Sequence, residues 1–98
     1  MLFRSNGGLV ANTSATIGNL AGANNNQVVV TGANSTWSNS STLIIGSSGA
    51  FNQLMVSNSG TVSATNVIIG SSASSTNNRV TVESGNLFVT NRSEEHHV

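Results

Sequence analysis

The sequence predicts an all-β fold, a right-handed parallel β-helix (β-solenoid) of about three coils. Three observations carry this reading. Ser, Thr, Asn and Gly make up about half of the 98 residues, while Val and Ile lead the apolar remainder. Val, Ile and Thr suit a pleated surface, and Gly, Asn and Ser suit tight turns, so the mixture describes many short strands joined by many turns. An ordered motif recurs along the chain, the mark of a repeat architecture. Proline, which removes a ladder donor, is absent.

The elements follow in order. Residues 1–6 read as an N-terminal cap or lead-in, residues 7–90 as solenoid repeats, and residues 91–98 as a polar tail. A first partial coil begins at Asn6-Gly7-Gly8-Leu9-Val10 and runs into Ile17. Ile-Gly pairs then mark the repeat: Ile17-Gly18, Ile45-Gly46 and Ile69-Gly70, separated by 28 and 24 residues. Each pair is followed by a polar loop (19–27, 47–53, 71–79) and then by a short apolar strand. Those strands are Val28-Val29-Val30, Leu54-Met55-Val56 and Val80-Thr81-Val82. A turn leads to a second anchor, Trp37, Val62 or Leu87, the last two after Ser59-Gly60 and Ser84-Gly85.

One coil cannot bury its own apolar residues, but stacked coils can. Strands lie about 4.8 Å apart in the hydrogen-bonding direction, so equivalent residues form columns. The expected inward ladders are Ile17/Ile45/Ile69, Val28/Leu54/Val80, Val30/Val56/Val82 and Leu9/Trp37/Val62/Leu87. Gly18, Gly46 and Gly70 are expected at the turns, where a left-handed or crowded backbone admits only glycine without strain. A helix is disfavoured, because the apolar residues come in twos and threes and not at 3.6-residue spacing. An antiparallel sandwich also has short strands and frequent turns, but the recurrence of one ordered pattern favours the solenoid.

Val30-Thr31-Gly32-Ala33-Asn34-Ser35-Thr36-Trp37, followed by Leu43-Ile44-Ile45-Gly46-Ser47-Ser48-Gly49, resembles the repeat associated with type V secretion (autotransporter) passengers and PEP-CTERM bacterial surface proteins. Leu54-Met55-Val56 and Ser59-Gly60-Thr61-Val62 fill the last two parts of that pattern. The resemblance covers roughly residues 7–90 and is best over 30–62. The third coil departs from it, with Ala73 where the family often has Gly and no Trp. The resemblance implies an extracellular β-helical stalk at a bacterial cell surface, within a longer chain, and carries over no catalytic residue. The start, Met1-Leu2-Phe3-Arg4, lacks the apolar stretch of a signal peptide, so any export signal is expected to be removed or upstream.

The chemistry-bearing residues are few. With net charge zero and three arginines, the chain is a poor nucleic-acid partner, since such binding neutralises several phosphates. No apolar run approaches the ~18 residues of a membrane helix. There is no cysteine, Asp or Lys, so disulfides, cysteine metal clusters and a lysine base are excluded. Glu83 is expected to pair with Arg79 at the surface, a contact of small worth, and Glu94-Glu95 lie in the tail; paired catalytic carboxylates are not expected. His96-His97 point apart on an extended chain and lack convergent ligands, and no His lies within the repeat to activate a serine. Gly46-Ser47-Ser48-Gly49 lacks the Lys and helix of a phosphate loop. No catalytic, cofactor-binding or metal residue is therefore assigned, and no cofactor is expected.

Trp37 reads as core; on an exposed face it would instead stack on a sugar. Asn24-Asn25-Asn26 and Asn77-Asn78 read as turns or stacked amide ladders, which add to in-register β order. The sequons at Asn12, Asn34, Asn39 and Asn91 are unremarkable in so Asn- and Ser-rich a chain. Open coil ends require caps or neighbours, so self-association end to end, or neighbouring repeats of a longer chain, is the expected partnership. Two other readings are a glycan-binding face on the polar exterior and ice binding. The latter needs a regular outward threonine array, and the column Val29/Met55/Thr81 is irregular.

Overall fold

The structure, a computed structural model, describes the backbone of Phe3 and Arg4 and residues 8–90. The tail Glu94-Glu95-His96-His97, the sequon at Asn91 and most of the expected N-terminal cap lie outside the described residues. Eleven strands follow one another: β1 (Phe3–Arg4), β2 (Leu9–Asn12), β3 (Ala15–Ile17), β4 (Gln27–Thr31), β5 (Thr36–Asn39), β6 (Thr42–Ile45), β7 (Gln53–Ser57), β8 (Thr61–Ala64), β9 (Asn66–Ile69), β10 (Arg79–Glu83) and β11 (Asn86–Val89). Every third strand joins the same sheet. Sheet A is β1-β4-β7-β10, sheet B is β2-β5-β8-β11, and sheet C is β3-β6-β9. All pairings are parallel. The chain is a parallel β-solenoid, and the backbone of Phe3 and Arg4 pairs with Val30 and Thr31 in sheet A.

Alternation within each strand sends one face inward, as a period of two requires. Val28, Val30, Leu54 and Val56 are buried while Val29 and Met55 between them are half-buried. The core is a single cluster of Ile17, Val28, Val30, Trp37, Leu43, Ile45, Leu54, Val56, Val62 and Ala64. Registers align Ile17, Ile45 and Ile69, then Val28, Leu54 and Val80, and Val30, Val56 and Val82. Trp37, Val62 and Leu87 form a further column.

One ladder member is displaced. Leu9 pairs with Thr36, and Val10 pairs with Trp37; Leu9 is 68% exposed. A slip of one residue moves a side chain to the opposite face, so Val10 and not Leu9 heads that column. A fifth apolar column, Ala15/Leu43/Val67, stands beside the isoleucines. Three further residues, Ile69, Val82 and Leu87, occupy the expected columns but lie in the last strand of each sheet. Ile69 is 49% exposed and Val82 43%, since no described strand covers them.

Candidate functional site

Three places carry more than generic solenoid packing: an amide ladder at the corner before sheet A, a hydrogen-bonded polar pair at the corner after sheet B, and the two ends.

At the first corner, Asn26, Asn52 and Asn78 recur at intervals of one coil. The Asn26 N–H donates to Asn52 Oδ1 at 2.8 Å, and the Asn52 N–H to Asn78 Oδ1 at 2.8 Å. In turn Asn52 Nδ2 donates to the Ala23 carbonyl at 3.1 Å, and Asn78 Nδ2 to the Gly49 carbonyl at 3.1 Å. Each amide thus satisfies a donor and an acceptor of the coil before it, groups that would otherwise be costly to bury. This explains the glycine column. Gly18, Gly46 and Gly70 have φ of +79°, +84° and +79°, and a Cβ on Gly18 or Gly46 would overlap the side chain of Asn52 or Asn78. The stacked amides expected from Asn77-Asn78 are present at Asn78; Asn52, buried and central, lies in the 47–53 segment, whose composition marks it only as polar.

The residue before each of these asparagines is held in the left-handed region: Asn25 at φ 61°, Phe51 at 58° and Asn77 at 57°. Asn tolerates that conformation, whereas a bulky residue there is an outlier, at a cost of roughly 1–2 kcal/mol. The surroundings fix it. The Phe51 N–H donates to the Thr76 carbonyl and the Asn25 N–H to the Ala50 carbonyl, while the Ala50 N–H donates to Asn24 Oδ1 at 2.8 Å. The ring stands 56% exposed, beside an open groove of about 550 Å³ that Asn25, Asn77 and Arg79 also line. No motif in the sequence distinguishes Phe51.

At the second corner, Trp37 is buried and its Nε1–H donates to Asn12 Oδ1 at 2.8 Å. Asn12 Nδ2 donates to Asn39 Oδ1 at 2.6 Å, and Asn39 Nδ2 to the Ser63 carbonyl at 3.2 Å. Trp37 is therefore core, as expected, and is no sugar platform. Of the sequon residues at this corner Asn39 is buried and Asn12 half-buried, and both side-chain amides are engaged in hydrogen bonds. At the opposite end of β5, just before Thr36, the hydroxyl of fully buried Ser35 has no hydrogen-bond partner among the described residues.

Arg79 and Glu83 stand at opposite ends of β10, and no ion pair joins them. Four extended residues span about 13 Å, too far for the pairing expected from their sequence proximity. Glu83 contributes the one carboxylate side chain among the described residues, and these hold no cluster of three or more His, Cys, Asp or Glu. No helix among them is long and apolar enough to cross a membrane.

The ends differ. The first coil opens on a hollow of about 360 Å³ lined by Ala15, Ile17, Val28 and Trp37. The last presents Ile68, Ile69, Val82, Phe88 and Val89, all exposed. These features define a parallel β-solenoid with stacked interior ladders and, among the described residues, apolar side chains exposed at both ends. No family model, curated protein or solved structure matches the chain.

Proposed function

We propose that the chain is a structural module, a stalk or fibre element built by stacking its coils end to end on those of a second copy. The observation that carries this reading is the exposure of inward ladder residues at one end, Ile69 and Val82, opposite an apolar hollow at the other. Uncovered strand edges are templates for pairing. Here β10 and β11 end the same two sheets that β1 and β2 of another copy would begin. In that stack Leu87 faces the Val10 of the next copy, prolonging an existing column. Sheet C is one strand shorter, and the place over β9 comes next in the winding order after β11. With net charge zero, little long-range repulsion opposes association.

The resemblance of residues 30–62 to the autotransporter and PEP-CTERM repeat supports a location outside a bacterial cell, at its surface. The near absence of charged groups along the sheets favours a scaffold over a catalyst.

Negative-stain electron microscopy, with sedimentation velocity across a concentration series, tests the stacking. Fibres, or a mass that rises with concentration and falls again in Val82→Glu, support it. A monomer that persists at high concentration overturns self-stacking and leaves a spacer whose neighbouring coils come from its own chain.

A further inference from the structure

We infer that the corner bearing Phe51 is a binding subsite for an acidic saccharide, a pyranose ring carrying a carboxylate. Four features of the place converge on this chemistry. An exposed aromatic ring offers a flat apolar surface of the kind that receives the axial C–H bonds of a sugar ring. Asn25 and Asn77, one coil before and one coil after, flank it in the same left-handed conformation, and their exposed amides offer both donors and acceptors to hydroxyl groups. Arg79 lines the same groove, exposed, with a guanidinium suited to two-pronged pairing with a carboxylate. None of the three polar side chains has a hydrogen-bond partner among the described residues, whereas Asn52 and Asn78 beneath them are committed to the ladder.

Phe51 makes the corner a site and not another turn. Its two column neighbours are Asn, the residue type that the conformation favours. A phenylalanine there carries both backbone strain and an exposed ring, and neither is repaid by burial in the core. Strain held by an over-determined backbone is the pattern of functional positions. The groove volume, about 550 Å³, lies in the range of small-molecule sites, and its openness to solvent implies weak, millimolar affinity for a single ring. This subsite would remain on the outer face of the solenoid whether or not the coils stack into fibres.

The test uses the full chain and two matched probes, methyl β-D-glucuronide and methyl β-D-glucoside, by saturation-transfer NMR and by shifts of the Phe51 ring resonances. The glucuronide is expected to bind with a millimolar dissociation constant and to weaken several-fold in higher salt. Phe51→Asn should abolish binding while raising the melting temperature, and Phe51→Trp should strengthen binding. Arg79→Gln should bring the glucuronide down to the level of the glucoside. Equal binding of both probes to the unaltered chain, binding that survives Phe51→Asn, or no transfer to either probe would overturn the proposal.

Discussion

Val56 and Val82 are the same residue, in the same column, one coil apart. Val56 is completely buried, and Val82 is 43% exposed. Ile45 and Ile69 repeat the contrast in sheet C. Burial in this molecule is therefore a property of position in the stack and not of residue type. A middle coil is sandwiched by equivalents of itself, while a last coil has one neighbour.

The largest effect expected from this contrast is in paired truncations. Val56→Ala should cost about 2–3 kcal/mol, from lost transfer energy and an unfilled cavity. Val82→Ala should cost under about 1 kcal/mol, because much of its surface already faces water. Chemical denaturation of both variants at low protein concentration checks this. Equal costs would break the contrast and mean that Val82 is covered in solution.

The amide ladder gives the next test. Asn52→Ala strands the Asn26 N–H and the Ala23 carbonyl, with an expected cost of about 2 kcal/mol. Asn26→Ala removes an exposed side chain that makes no hydrogen bond among the described residues, and should fall within about 0.5 kcal/mol of the unaltered chain. The same denaturation curves decide the matter, and a comparable loss at both positions would break the distinction between middle and end.

Trp37→Phe keeps most of the apolar volume but removes the donor to Asn12. Its expected cost is about 1 kcal/mol, accompanied in thermal melts by a fall of several degrees. Ser35→Ala is expected to act in the opposite direction. Ser35 stands in the column otherwise filled by Gly60 and Gly85, one residue before Thr36, Thr61 and Asn86, and its hydroxyl is buried without a partner. Removing the hydroxyl should stabilise the chain by up to about 1 kcal/mol, read as a higher melting temperature.

The columns were legible where the sequence offers landmarks. Ile-Gly pairs located the isoleucine ladder and the glycine turns, and the apolar triplets located both inward positions of sheet A. The first coil misled because Leu9 and Val10 are both apolar, so neither composition nor alternation tells which one faces in; the register with Thr36 and Trp37 decides it. Leu43 is obscured for a related reason: the run Leu43-Ile44-Ile45 hides the alternation that places Leu43 and Ile45 inside and Ile44 between them. Asn52 and Phe51 were out of reach altogether. A ladder amide looks like any other loop asparagine until the preceding coil lies beneath it, and a phenylalanine in a left-handed turn is recognised only from its backbone angle.

The asparagine ladder also gives the stack a direction. Each amide reaches back to the preceding coil, so a coil is clasped only when its successor has been laid down. The N–H of Asn78 has no acceptor among the described residues, and the coil it belongs to is the unlatched one. Pulled along its axis, such a stack should come apart like a ratchet released from its last tooth. The newest coil would peel first, while those beneath hold until their own latch is removed.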